Sequence, residues 1–221
     1  ADESNPVYSP DGRYLAYSQK RTPRFYADTQ RLMLLDRTGG TTRGLTGQWD
    51  RSADGLVWAS DSKSIYGQID DAATSRIYRF ALTGGAPRAV TGASSFSGLE
   101  VAGKVAIALR QSFSEPAALV RLDLAKGAIT KLSDFNDGAL ASLAMGKVES
   151  VTYKGARGDP IQMWVIYPPG FDPAKKYPVY MLLHGGPHNG IQDALTYRWN
   201  AHVFANWGYI VTWHNFHGSS G

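Results

Sequence analysis

The 221-residue chain contains no cysteine. That excludes disulfides, thiolate metal sites and a cysteine nucleophile. It also fits an oxidising compartment, where an unpaired thiol is a liability; a periplasmic or extracytoplasmic location is the favoured expectation, with a cytoplasmic one left open. No stretch reaches the roughly 18 consecutive apolar residues of a membrane-spanning helix, so no membrane span is expected. The amino end, ADESNPVYSPDG, has neither a basic n-region nor an apolar h-region, as a mature chain after cleavage would also show. Concentrated charge of one sign is missing too. The net charge is +4, and residues 148–221 carry five basic and four acidic side chains. Lys20, Arg21, Arg24 and Arg31, interleaved with Phe25 and Tyr26, form a local basic cluster that reads as a solvated loop. No nucleic-acid partner is expected.

What is present is a soluble composition rich in turns, with 43% apolar residues, 24 glycines and 11 prolines. The first part is repetitive. LMLLDRTGGTTRGLT (32–46), IYRFALTGGAPRAVT (77–91) and LVRLDLAKGAITKLS (119–133) align without gaps, at offsets of 45 and 42 residues. Each copy has an apolar strand, a turn with Gly40, Gly85 or Gly127, a basic residue (Arg43, Arg88, Lys131), and a closing apolar–hydroxyl pair. Ser9-Pro10-Asp11-Gly12 reads as a type I turn into an alternating strand; Ala59-Ser60-Asp61-Ser62 repeats it, and Gly103-Lys104 does the same work in the third copy. A period of about 40–50 residues with several short strands per unit is the signature of β-propeller blades. A β-sandwich of repetitive hairpins is the alternative. Residues 20–30 read as an insertion in the first unit, and fewer than three full blades are expected, so the propeller is incomplete.

The pattern changes after about residue 147. Residues 148–154 and 161–167 read as strands joined by a turn over 155–160, and the prolines of 168–173 mark a loop. Val179–Leu183 is almost wholly apolar and reads as a parallel-sheet strand buried on both faces, ending in His184-Gly185-Gly186-Pro187. Residues 194–207 predict a helix, with Asp193 as N-cap and Gly208 at C′. A second apolar strand, 209–213, runs into His214-Asn215-Phe216-His217-Gly218. Strand, loop, helix and strand begin a βαβ unit. The fold class is therefore β-propeller blades (1–147, the C-terminal blades) followed by the N-terminal portion of an α/β domain (148–221).

Glycine pairs at the carboxyl ends of such strands place bare N–H groups where open α/β sheets bind ligands. One use is an oxyanion hole for acyl transfer. The matching nucleophile elbow, G-x-S-x-G, is not in the chain: Gly92-Ala93-Ser94-Ser95-Phe96 lacks the second glycine, and Gly218-Ser219-Ser220-Gly221 stops one position short. A rival is zinc held by His184, His188, His214 and His217. Against it, no acidic residue lies close in sequence to complete a catalytic set, and hydrogen bonding to loop carbonyls is the ordinary fate of such rings. A plain tight turn is the third reading of the glycine pair.

Together these motifs resemble the serine peptidases of the prolyl oligopeptidase family, in the dipeptidyl-peptidase and acylaminoacyl-peptidase branch. The resemblance rests on the SPDG-type blades, on Leu132-Ser133-Asp134-Phe135-Asn136 as the propeller exit, and on two loops, HGGP and Phe216-His217-Gly218-Ser219-Ser220-Gly221. Tyr197-Arg198-Trp199-Asn200 tilts it toward the bacterial dipeptidyl-peptidases. It implies an α/β-hydrolase domain after the propeller. It also implies removal of dipeptides or N-blocked amino acids from short peptides through an acyl-enzyme, without cofactor or metal. An oxyanion-hole N–H falls on Gly186, with Gly185 its neighbour and His184 as loop anchor; the Ser, Asp and His of the triad are expected downstream. Acidic side chains hold the substrate's amino group in relatives that clip dipeptides. Glu100, Glu115, Asp70 and Asp71 have the right chemistry, and no motif chooses among them. The implied partners are short peptides, the remainder of the hydrolase domain, the missing blades, and a second copy in a homodimer; alone, the chain is expected to be inactive. A non-catalytic propeller-type binding module is the alternative from a different class.

Overall fold

The computed structural model describes residues 2–186 and 188–221. Pro187, the last residue of the HGGP motif, lies outside the described residues. Strands β1 (Asp2–Tyr8), β2 (Tyr14–Lys20), β3 (Arg31–Asp36) and β4 (Thr41–Gly44) form one antiparallel sheet in sequence order. The same meander recurs in β5 (Val57–Trp58), β6 (Ser64–Asp71), β7 (Thr74–Ala81) and β8 (Arg88–Ala89). It recurs again in β9 (Ser95–Ala102), β10 (Val105–Ser112), β11 (Glu115–Asp123) and β12 (Ile129–Lys131). These are three four-stranded blades, which corrects the expectation of fewer than three. The reason is β1: after a register shift between Ser4 and Val7 it continues pairing with β2 as far as Asp2 opposite Lys20.

The repeats have a shared physical cause. The closing hydroxyl of each copy accepts a hydrogen bond from the backbone N–H of the copy's first residue: Leu32 N to Thr46 Oγ1 at 2.8 Å, Ile77 N to Thr91 Oγ1 at 3.1 Å, Leu119 N to Ser133 Oγ at 2.9 Å. The outer strand is too short to supply a backbone carbonyl there, so the hydroxyl does so. Inside the blades the alternation is of period two: Leu32 and Leu34, Ala106 and Ala108, Val120 and Leu122 are buried between their half-exposed neighbours. One apolar cluster joins blades 1 and 2 around Leu34, Trp58 and Phe80, and a second joins blades 2 and 3 around Ile77, Leu99 and Val120.

The fourth sheet follows α1 (Asp137–Ala141) and contains β13 (Val148–Lys154), β14 (Pro160–Ile166), β15 (Val179–Leu183) and β16 (Ile210–Asn215), in the order β13-β14-β16-β15. Only β15 and β16 run parallel. Two expectations fail here. β15 is the sheet edge, so Val179, Met181 and Leu183 are 60, 58 and 67% exposed instead of buried. The second apolar strand of the sequence, β16, lies between β14 and β15. The helix is also shorter than predicted: α2 spans Ala201–Asn206, capped by Asn200, whose side chain accepts from His202 N. Trp199 stands at φ +56°, which ends any helix approaching from residue 194, and Asp193 is engaged elsewhere, accepting from Phe113 N at 2.7 Å. Gly208 (φ +92°) does close α2, as expected.

The two parts share a core. The tips of the β6–β7 and β10–β11 hairpins, at Ala73 and Phe113, sit with Trp164, Leu182, Val211 and Trp213 in one buried cluster. Phe113 meets Trp164 edge-on at 5.2 Å. Asp193 N donates to Ala73 O at 2.9 Å, and Ser114 Oγ lies 3.2 Å from His202 Nε2. No helix among the described residues is long and apolar enough to cross a membrane.

Candidate functional site: two glycine loops facing the blades

The parallel pairing of β15 with β16 brings their carboxyl ends side by side, and with them the two loops singled out in the sequence. The His184 ring stacks on Phe216 with centroids 4.2 Å apart and planes 9° from parallel. Its Nδ1 lies 2.8 Å from Gly185 O; a carbonyl only accepts, so Nδ1 carries the proton. Its Nε2 lies 3.0 Å from Ser219 Oγ, whose single hydrogen also has Phe216 O within 2.7 Å.

Gly186 has φ +137°, and an added Cβ would lie 2.9 Å from Asn189 N and 3.0 Å from His188 N, so this position requires glycine. Gly185 has open space where a Cβ would go. Beyond Gly186 the chain is pinned to the second loop: Ser220 N donates to His188 O at 2.9 Å, and a Cβ at Gly190 would strike Ser220 O at 2.5 Å. Asn215 is the fastener. Its Oδ1 accepts from Ile191 N at 2.6 Å and its Nδ2 donates to Ile191 O at 3.0 Å, while Trp164 Nε1 donates to that same carbonyl. In the sequence Asn215 stands in the loop string without a role; an amide side chain directly after an apolar strand is the signal that could have marked it.

From these loops His188, Asn189 and residues 218–221 line one wall of a cavity of about 670 Å³, and His184, Gly185 and Gly186 stand behind that lining. The opposite wall comes from the blades, through Asp28, Arg51, Asp54, Asp70 and Phe96, and Tyr26 lies at the junction. Tyr26 belongs to the 20–30 insertion and meets the His188 ring edge-on at 4.8 Å. The insertion is held by Asp28, which accepts from Thr22 N and Arg21 N and faces Arg31; these lower its pKa to about 2.

The four carboxylates left undecided by the sequence separate cleanly. Asp70 lines the cavity 3.4 Å from Ser220 Oγ; burial raises its pKa, the Ser220 hydroxyl partly offsets this, and Asp54 adds to the rise. Asp71, one residue on, has burial working against ionisation as well. It accepts from Tyr78 and pairs with Arg76 at 2.8 Å and Arg51 at 3.3 Å, and together these hold its pKa below the ordinary value. Glu115 is paired with Arg110 and Lys131, and Glu100 lines an adjoining groove beside β1 and β5 that meets the cavity at Asp54, Gly55 and Gln68. Of the four, Asp70 alone faces the glycine loops.

The histidines do not converge. His214 contacts Tyr153 and Thr212, His217 lies 3.6 Å from Asp159, and His188 packs on Tyr26. Among the described residues no group of three or more His, Asp or Glu gathers in a metal-binding arrangement.

No family model matches the chain. Curated relatives do. Dipeptidyl-peptidase 5 of Porphyromonas gingivalis is 31% identical over 220 residues, covering 99% of this chain and 32% of that protein. Dipeptidyl-peptidase 5 of Porphyromonas endodontalis is 35% identical over the same length and shares. The chain therefore spans about a third of the curated relatives it matches. Among solved structures, Pyrococcus horikoshii acylaminoacyl peptidase superposes with a TM-score of 0.78 at 21% identity, over 96% of this chain and 32% of that one. Porphyromonas gingivalis dipeptidyl peptidase 4 gives 0.73 at 18%, over 97% and 30%. Blades followed by the opening strands of an α/β-hydrolase sheet are the arrangement these neighbours share with it, and the chain is similar to peptidases of the prolyl oligopeptidase family.

Proposed function

We propose that the chain is a segment of a serine exopeptidase that releases dipeptides from short peptides through an acyl-enzyme. Residues 1–147 contribute propeller blades, and residues 148–221 the first part of the hydrolase domain. The observation that carries this reading is the pinned pair of glycine loops facing a cavity walled by the blades. In this role the backbone N–H of Gly186, with Gly185 beside it, stabilises the negative oxygen formed when a serine alkoxide adds to the scissile carbonyl. His184 acts as the anchor that fixes the loop on Phe216 and Ser219. Such donors act because they are already oriented where charge develops, so nothing reorganises during the reaction. The serine and its partners belong to the remainder of the hydrolase domain, and this chain alone is inactive.

Between dipeptides and N-blocked amino acids, the cavity favours the free amino terminus. Asp70, with Asp54 beside it, supplies negative charge across from the loops, suited to an ammonium group and unfavourable for an uncharged acyl cap.

The test is made in the intact protein. Gly186→Ala keeps the N–H but cannot hold φ +137° without displacing it, and should lower kcat/KM by about 10²–10³, the scale of losing one oxyanion donor, while Gly185→Ala stays near wild type. Asp70→Asn should raise KM for free-amino dipeptidyl substrates by about tenfold or more, the scale of a charge-assisted hydrogen bond, and leave N-acetylated substrates unaffected. Equal effects of the two glycine variants would remove the oxyanion assignment. Preference for acetylated substrates in the wild type would move the protein to the N-blocked class. Failure of a fluorophosphonate to label the intact protein would favour a binding module.

A further inference from the structure

The blade ends far from the hydrolase loops hold a second cleft, of about 570 Å³, between blades 2 and 3. Four cationic side chains line it: Arg79 on β7, Arg88 on β8, Lys104 in the β9–β10 turn and Lys126 in the β11–β12 turn. One acid, Asp61, joins them; it accepts from Lys63 N, and nearby Asp123 is occupied by the N–H groups of Ala125 and Lys126. Among the described residues none of the four cations has a side-chain hydrogen bond or an ion pair.

Two observations make this more than a basic surface. Arg79 and Arg88 are register partners on adjacent antiparallel strands, directly opposite one another. Like charges in that relation oppose each other and weaken the sheet. The second observation is the repeat. Arg43 and Arg88 occupy the same place in the first two aligned copies, and Lys131 stands one position later in the third. Arg43 donates to Leu82 O across the blade boundary, and Lys131 is held by Glu115 and Asp137. Leu124 stands where Leu82 stands in its own copy, yet Arg88 makes no bond to it and opens onto the cleft instead. Gly127, where a Cβ would lie 2.4 Å from Val90 O, seats the β11–β12 turn against the end of β8 and brings Lys126 to the same space.

We propose that this cleft binds a multivalent oxyanion of the phosphate or sulfate type. The Arg79 and Arg88 guanidinium forks are its directional donors, and Lys104 and Lys126 supply point charge. The site shares no lining residue with the cavity at the glycine loops, so it is independent of the peptidase reading.

The experiment is calorimetric titration of the full chain with inorganic pyrophosphate, at an ionic strength held constant with sodium chloride. A parallel arm measures sedimentation with phosphatidylcholine vesicles carrying phosphatidic acid. The expected result is one-to-one binding of pyrophosphate, weakened at least tenfold in R79Q/R88Q and unchanged in K176Q, a remote control. Binding to the vesicles alone, lost in R79Q/R88Q, identifies a lipid phosphate as the source of the same anion. Without ligand R79Q/R88Q should melt no lower than wild type, since the like-charge pair is gone. If that variant does not fold, K104Q/K126Q carries the test. Absence of binding in both arms, or binding equal in wild type and variants, overturns the proposal.

Discussion

The blades and the hydrolase segment satisfy their backbones in opposite ways. Each blade is a meander in which every strand pairs with its sequence neighbour, and a local hydroxyl completes the hydrogen bonding where the outer strand ends. The hydrolase sheet inserts β16 between β14 and β15, against sequence order, and leaves β15 with a free edge. Its closed face is covered in part by propeller hairpins, through Ala73 and Phe113. The blades thus share cores with one another, whereas the core of the segment after residue 147 is completed by two residues from the blades that precede it.

The strongest way to break this comparison is Phe113→Ala. Truncating a ring packed against Trp164 and Trp213 should cost about 3–5 kcal/mol. If the hydrolase sheet depends on this propeller residue, amide exchange should accelerate throughout β14 and β16 and remain slow in β2, β3 and β6. Uniform acceleration would mean that the chain unfolds as one unit.

Next in size are the hydroxyl clamps. Thr91→Val removes the acceptor for Ile77 N in a buried setting and should cost about 1–3 kcal/mol, the penalty for an orphaned buried donor. Ser133→Ala, whose bond to Leu119 N is exposed, should cost less, because water replaces the lost acceptor. Equal losses in urea titrations would show that the clamp works through the outer strand rather than through the single bond.

The comparison also explains which features were legible in the sequence. Blade repeats can be read because meander pairing is local: the turn, the basic residue and the closing hydroxyl all lie within fifteen residues of their partners. In the hydrolase segment the strands themselves were legible from apolar runs, but their order was not, because the pairing of β14 with β16 joins residues about fifty apart. The helix over 194–207 was misjudged for the same reason. Asp193, which looks like an N-cap, is used by Phe113 eighty positions earlier, and the cap is Asn200. At the site, His184, Gly185 and Gly186 stood out as a short motif. Asp70 and Tyr26 did not, since Asp70 meets Ser220 across 150 residues and nothing local marks either one.

Two carboxylates, one inside blade 2 and one at the junction, are shifted in opposite directions. Asp71, inside blade 2, has its folded-state pKa lowered, because Tyr78, Arg76 and Arg51 outweigh the cost of burial. The stability it contributes is present above the unfolded carboxylate range and is lost as pH falls through the folded value. Asp193, at the junction, has its pKa raised by burial, only partly offset by the Phe113 N–H. Its ionisation therefore disfavours the folded state, and stability from this group falls as pH rises from the unfolded value through the folded one. Asp71→Asn should destabilise at pH 7, by about 1.5–3 kcal/mol for a charge-assisted network, and the loss should shrink on acidification. Asp193→Asn keeps an acceptor for Phe113 N and should be neutral or stabilising at pH 7, with its advantage vanishing in acid. Urea midpoints across the acid range distinguish the two, and parallel curves for both variants would refute the assignment.

The smallest effect on folding, and the sharpest on assembly, belongs to the open face of β15. Val179, Met181 and Leu183 project from one side of an edge strand and are mostly exposed, so they contribute little to the stability of this chain. Met181→Lys should leave the urea midpoint within about 0.5 kcal/mol of wild type, as surface substitutions do. The same apolar row on an unpaired edge invites association, and a charge there opposes it. If the remainder of the hydrolase domain packs on this face, as the proposed function requires, Met181→Lys should reduce self-association of the isolated chain in sedimentation. It should also abolish recovery of peptidase activity when the remaining segment is supplied in trans. Recovery at the wild-type level would mean that this face stays open in the assembled enzyme and that the hydrolase core closes elsewhere.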